Sequence, residues 1–288
     1  MAATKIAGIM RAEVYSPNHI GNDAAIFNAV ADGLRRQGCE VNVYSETQFA
    51  AGAVQERIIF NMCRESRSIR LLQQLEDDGA LVFNSGYGIE NCMRERMTRL
   101  LDESGIPSPE SLLVATDENV LPLLEERGYE RCWVKRGDSH AVHKEDVAYA
   151  RHPEEAQAIV KEFSLRGISR AVINRHLDGD LIKFYGVADA SFFYWFYPFE
   201  AGHSKYGCET VNRAAHRFRF DEKELKRIAQ RAGDALDVKI YGGDCIVGAD
   251  GKISVIDFND FPSFAPCREE AAARIAEYIL KEIKHTVL

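Results

Sequence analysis

The 288-residue chain has no apolar run near the ~18 residues that a membrane span requires. Its opening "MAATKIAGIMRAEVYSPNH" meets Arg11 and Glu13 before the core of an export signal could be completed. The expectation is a soluble, unexported, cytoplasmic protein with no membrane partner. Cys-x-x-Cys is also missing. The seven cysteines (39, 63, 92, 132, 208, 245 and 267) are odd in number and scattered, which argues against both a disulfide framework and a zinc site. Positive charge is not in excess: 36 lysines and arginines stand against 44 aspartates and glutamates, a net of −8. That balance argues against a general nucleic-acid surface, so any anion has to be met by a local cluster. Neither Gly-x-x-x-x-Gly-Lys-Ser/Thr nor Gly-x-Gly-x-x-Gly occurs, so phosphate is not bound by a P-loop or a dinucleotide fingerprint. A Gly-x-Ser-x-Gly elbow, an internal repeat and a low-complexity segment are likewise absent.

What remains is an ordinary globular composition, 46% hydrophobic and 28% charged, on a chain long enough for more than one lobe. "KIAGIM", "CEVNVYS", "RIIFNMC" and "ALVFNS" read as strands, with amphipathic helices at "AAIFNAVADGLRRQG" and "RESRSIRLLQQLEDDG" between them. This alternation predicts a small parallel sheet over residues 1–85, with the loops starting at Arg11 and Arg64 at the carboxyl ends of its strands. One helix is expected over "IENCMRERMTRLLDESG", stopped by "GIPSP", and another over "DENVLPLLEERG". The strands "SLLVA", "ERCWVKRGD", "DVAYA" and "SRAVINRHL" follow, with a polar flap "GDSHAVHKE" and a helix "HPEEAQAIVKEFSLRG" among them. The tail is mostly strand: "DLIKFYGVADASFFYWFYP", a polar connection, a helix "DEKELKRIAQRAGDAL", a hairpin and a last helix "REEAAARIAEYILKEIKH". The aromatic run "SFFYWFYPF" reads as a buried strand or a subunit contact, and it suggests a homodimer.

The hairpin "GGDCIVGADGKISVIDFNDFPSF", residues 242–264, places Asp244, Asp257 and Asn259 on adjacent strands among apolar neighbours. Carboxylates in such surroundings need a cation or must neutralise.

In four segments the chain resembles the ATP-grasp superfamily, over essentially its whole length. "NCMRERMTRLLDESGIPSP" resembles the helix that carries a first nucleotide-binding cation, which falls on Arg94 where many members have lysine. "CWVKRGD" resembles the strand whose lysine holds the α- and β-phosphates, here Lys135, and "AVINRHLDGDLIKFYGV" resembles the adenine-binding hinge. The hinge has Asn174 and Arg175 where members often show glutamine and glutamate; Arg175 and Leu177 would read adenine through backbone groups, and His176 is a packing residue. The hairpin resembles the metal-binding element, with thirteen residues between Asp244 and Asp257 and Asn259 two further on. Two carboxylates and an amide oxygen make a hard site suited to Mg2+, with Mn2+ as a substitute.

The resemblance implies a mixed α/β (α+β) ATP-grasp fold: a pre-ATP-grasp domain over residues 1–85 and an ATP-grasp domain over 86–288, with a lid at about 110–175. It implies an ATP- and magnesium-dependent enzyme, in first place a glutathione synthetase-like carboxylate–amine or carboxylate–thiol ligase working through an acyl phosphate. Arg213 and Lys183 would be its catalytic cations. "Asp-x-Asn-x-Phe-Pro", the flap pair Ser139 and His140, and Lys183 also resemble the ATP-grasp inositol polyphosphate kinases, which leaves a small-molecule kinase as the alternative. A nucleotide-binding protein without catalysis is a third reading. In each enzyme the partner is a small anionic acceptor, met by Arg11, Arg64 and Arg67, with His140 closing over nucleotide.

Overall fold

The computed structural model describes residues 3–17, 20–138, 144–188, 192–198 and 215–287. Three four-stranded sheets organise them. The first is parallel. It is built from β1 (Lys5–Met10), β2 (Glu40–Ser45), β3 (Ile58–Asn61) and β4 (Leu81–Phe83), in the order β2-β1-β3-β4. Helices α1 (Ile20–Arg36), α2 (Glu46–Ala50) and α3 (Ser66–Asp77) are its crossovers.

The second sheet is antiparallel: β5 (Ser111–Ala115), β6 (Cys132–Arg136), β7 (Val147–Ala150) and β8 (Arg170–Arg175), ordered β5-β8-β6-β7. One face of it buries Val134, Ala171 and Ile173 against α6 (Leu121–Glu126) and α7 (Pro153–Leu165). Because side chains alternate along a strand, Trp133, Lys135 and Asn174 emerge on the opposite face. The third sheet, also antiparallel, has β9 (Asp180–Val187), β10 (Phe192–Phe196), β11 (Ile240–Val247) and β12 (Ile253–Asp260) in the order β10-β9-β11-β12.

The expected helix over 89–105 is two helices, α4 (Gly86–Asn91) and α5 (Arg94–Glu103). Met93 between them is extended (φ −61°, ψ 133°), so the chain turns before Arg94 and that residue begins a new helix. Sequence gives no warning, since neither proline nor glycine stands at the break. The expected helix over 117–128 forms only from Leu121, after a turn in which Asn119 Oδ1 accepts from the Leu121 N–H at 3.2 Å. The aromatic run is β10. Phe192 joins one core and Phe193 and Trp195 the other, so alternation accounts for its apolar character.

Helix α8 (Glu222–Ala235) packs with α5 and the third sheet, burying Met97, Leu101, Leu225, Ile228, Phe184 and Phe258 together. Helix α9 (Arg268–Val287) lies instead against α1, where Ile275 and Ile279 share a core with Phe27 and Val30 of α1 and Ile6 of β1. Two buried asparagines join the sheets. Asn84, just after β4, donates to Ile240 O (2.7 Å) and accepts from the Ile240 N–H (2.9 Å), while Asn61 Nδ2 donates to Asn84 O (2.9 Å). Among the described residues no helix is long and apolar enough to cross a membrane.

Candidate active site

The register of the third sheet sets three charged side chains in a row. Asp244 of β11 lies opposite Lys183 of β9 on one side and opposite Asp257 of β12 on the other. Directly opposed residues of antiparallel strands point to one face, and like charges so placed repel. Cations relieve that repulsion. Lys183 Nζ lies 3.2 Å from Asp244 Oδ2, and Arg94 Nη1 lies 3.1 Å from Asp257 Oδ1. Asn259, two residues along, shares the face of Asp257, and its amide nitrogen is 3.4 Å from Asp257 Oδ2.

A bulge sharpens the arrangement. Asp244 pairs with Asp257 and Cys245 with Val255, so Ile256 is the extra residue without a cross-strand partner. Its carbonyl accepts instead from Lys135 Nζ at 2.9 Å. The second sheet thereby delivers a lysine onto the strand that carries Asp257. Lys135 is buried, and burial pushes its ammonium down to about 8, helped by Arg94 and opposed by Asp257 and Asp244. Arg94 is also buried, and its Nε has no hydrogen-bond partner among the described residues.

Asp244, Asp257 and Asn259 fit a hard divalent cation: each carboxylate keeps a quarter of its side-chain surface (25%) open beside its paired cation, and rotation of the amide would present its oxygen. Among the described residues no three His, Cys, Asp or Glu side chains group to hold a metal, so such an ion would depend on water and phosphate for its remaining ligands.

No family model matches the chain, and no curated protein does. Solved structures do. D-alanyl-alanine synthetase A from Vibrio cholerae O1 biovar eltor str. N16961 is similar with a TM-score of 0.71 at 11% identity, covering 99% of each chain. The D-alanine–D-alanine ligase from Bacillus anthracis matches at TM-score 0.69 and 15% identity, over 99% of this chain and 97% of that one. The RimK domain protein ATP-grasp from Sphaerobacter thermophilus DSM 20745 matches at 0.69 and 17%, over 96% and 99%. This chain has the ATP-grasp fold. At such identities the likeness is one of architecture, and the site has to be read from its own residues.

In this chain of ATP-grasp fold the residues expected at the hinge are partly committed. The Arg175 N–H donates to Glu110 O (2.9 Å), and its guanidinium bonds Glu110 and the carbonyls of Arg127 and Gly128 while lying 4.4 Å over the Tyr129 ring. Arg175 therefore braces the second sheet. Asn174 Nδ2 donates to Ser111 Oγ at 2.7 Å, and half-buried Leu177 follows on the connection to β9. His176 packs, as its place in the hinge suggests: Trp133 Nε1 donates to its Nδ1 (3.1 Å), Tyr149 meets it edge-on, and Nε2 lies 3.3 Å from Asp178.

At the carboxyl edge of the first sheet Arg11 and Arg64 do come together, and both are paired. Arg11 Nη1 bonds Asp23 (2.8 Å), and its Nε and Nη2 donate to Met62 O (3.2 Å) and Phe261 O (3.3 Å). Arg64 forms an ion pair with Asp260 and donates to its carbonyl at 3.3 Å. Arg67 is exposed on the first turn of α3. Sequence reasoning passed over Glu46, which is buried and accepts the N–H groups of Ala12 (3.1 Å), Arg64 (2.8 Å) and Glu65 (2.7 Å), tying both loops together. It also passed over Asp260, whose signal was an acid in the apolar "NDFPSF". His140, with the flap pair Ser139–His140, and Arg213 lie outside the described residues.

Proposed function

We propose that this protein is an ATP- and Mg2+-dependent ligase that joins a carboxylate to an amine through an acyl phosphate. The observation that carries the reading is the convergence of Arg94 and Lys135 on the Asp244–Asp257 pair, with Lys183 completing the row. Solved relatives support it. Two of those matched above are named D-alanyl-alanine synthetase A and D-alanine–D-alanine ligase, and the Bacillus anthracis enzyme, at TM-score 0.67 and 15% identity in that form, was solved with ATP.

In this reading Lys135 and Arg94 hold nucleotide phosphates, the first as a point charge and the second as a fixed fork. Mg2+ held by Asp244, Asp257 and Asn259 would neutralise charge on the transferring phosphoryl group. Lys183 pairs with Asp244 beside it. The acceptor carboxylate oxygen attacks the γ-phosphorus and ADP leaves; the amine nitrogen then attacks the acyl carbon, phosphate departs, and the amine gives up a proton. Arg213 is the proposed cation for the developing negative charge.

The pairing of Arg11 with Asp23 and of Arg64 with Asp260 favours this reading over a kinase for a polyphosphorylated acceptor, because it leaves exposed Arg67 as the candidate anion contact. Purified protein given Mg-ATP with panels of carboxylates and amines should release ADP and phosphate only when both are supplied, and hydroxylamine should trap a hydroxamate. A phosphate ester formed without free phosphate would make the protein a kinase. Nucleotide binding without turnover on any pair would support the non-catalytic alternative.

A further inference from the structure

A closed ring of three contacts joins α5 to the second sheet on the far side of Arg94 and Lys135. The Glu95 N–H, one of the free donors in the first turn of α5, donates to Gly137 O at 3.1 Å. The Gly137 N–H donates to Arg170 O at 2.9 Å. Arg170 closes the ring by gripping the Glu95 carboxylate with Nε and Nη2, at 2.9 and 2.8 Å. The fork holds the Glu95 carboxyl below its ordinary range, the bond to Arg170 being the largest cause. Gly137 is crowded: a Cβ there would meet the Arg170 carbonyl at 3.1 Å, so that backbone would have to give by a few tenths of an ångström.

The ring's position in the fold gives it significance. Met93 supplies no side-chain cap to α5, so a backbone carbonyl from another sheet stands where a cap would be. Glu95 directly follows Arg94, and Gly137 lies two residues beyond Lys135. Helix α5 is packed into the core of the third sheet, whereas Gly137 directly follows β6 and Arg170 begins β8 of the second. The same ring therefore fixes how far the second sheet's lysine stands from the α5 arginine. Both of those cations act on β12, Arg94 through Asp257 and Lys135 through Ile256 O.

We propose that Glu95 and Arg170 are positioning residues for nucleotide binding: their ion pair, with the Gly137 bonds, holds Arg94 and Lys135 at the spacing that receives one set of phosphates. The proposal rests on the nucleotide reading given above. Neither residue touches nucleotide in it, and each acts through its neighbour.

The test has two arms. Calorimetry with a non-hydrolysable ATP analogue and Mg2+ should show about three- to tenfold weaker binding for Glu95→Gln and for Arg170→Gln, the scale of a part-exposed bidentate pair. The double variant should be no weaker than either single one. Gly137→Ala, which leaves every charge in place, should shift affinity in the same direction. In nucleotide-free protein the amides of residues 135–138 and 170–172 should exchange faster in these variants, with α8 unchanged. A lowered thermal midpoint with parental nucleotide affinity would make the ring a structural tie and overturn the proposal, as would additive losses in the double variant. The exchange arm needs no ligand. Failure of the parental protein to bind the analogue would sink the nucleotide reading, whereas unchanged exchange in the variants would sink the ring itself.

Discussion

Arginine meets aspartate both within the third sheet and at the edge of the first, and the two places use the pair for opposite ends. In the third sheet Arg94 meets Asp257 and Lys183 meets Asp244, yet each aspartate side chain keeps a quarter of its surface (25%) open. At the edge of the first sheet Arg11 meets Asp23 and Arg64 meets Asp260, whose side chains are 10% and 1% exposed. A carboxylate with an open face retains lone pairs for another cation. A sealed one has become a crosslink, here between a loop of the first sheet and the end of β12. An arginine at the carboxyl end of a parallel strand thus marks a place where a ligand could lie without marking the group that binds it. What decides is whether an acid has already closed over that arginine.

The comparison is broken most directly at Asp257. Asp257→Asn should lower Mg-ATP turnover by about a thousandfold while circular dichroism stays parental, because a ligand charge is lost from an open site. Turnover near the parental rate would remove Asp257 from the metal set. At the sealed pair the expected loss is in stability. Arg64→Ala leaves Asp260 buried without its cation, at a cost of about 3 kcal/mol in urea unfolding. Replacing both partners, Arg64→Met with Asp260→Leu, should recover most of that loss. A purely kinetic effect on the acceptor, with stability intact, would return Arg64 to substrate binding.

Smaller effects sharpen the contrast. Lys135→Ala should weaken ATP binding by about tenfold in calorimetry, the scale of one charge-assisted contact. Equal affinity would mean that Lys135 serves only the Ile256 carbonyl. Glu76 supplies a case of an acid with no ion-pair partner among the described residues: it accepts from the Gly86 N–H (3.1 Å) and the Ser85 hydroxyl (3.1 Å), and burial raises its pKa to about 7. It stays protonated in the fold at a pH where the unfolded chain would ionise. Its stabilising contribution is thus complete below about 4.5 and disappears as pH rises through about 7. Glu76→Gln should flatten that decline, read as urea midpoints at about pH 5 and about pH 7.5. An unchanged slope would mean that the carboxyl is ionised in the fold.

Much of the scaffold was legible because it is periodic. Alternation of "KIAGIM" and "RIIFNMC" with amphipathic helices predicts the parallel sheet, and Asp250-Gly251 predicts the hairpin turn, closed by a Gly251 N–H to Gly248 O bond of 2.9 Å. The row Asp244, Asp257, Asn259 was legible for the same reason, since strand alternation and a short turn fix which side chains share a face. The break at Met93 was not, because what replaces a cap there is a carbonyl from Gly137, distant in sequence. The bulge at Ile256 was hidden too: two half-buried residues in succession, Ile256 and Asp257, show only when β12 is laid against β11. The sealing of Arg11 and Arg64 depended on Asp23 and Asp260, one on a helix and one at the far end of the chain.

The packing of α9 on α1 constrains how the protein can be made. Ile6, Phe27 and Val30 leave a ribosome well before Ile275 and Ile279, which finish the apolar surface they share. The amino-terminal sheet must therefore wait, with that face uncovered, through synthesis of the second and third sheets. Contacts so distant in sequence are reached late and leave sticky intermediates exposed in the interval. A nascent chain stalled before residue 268 would carry an open apolar face on α1, the kind of surface that chaperones hold and proteases find.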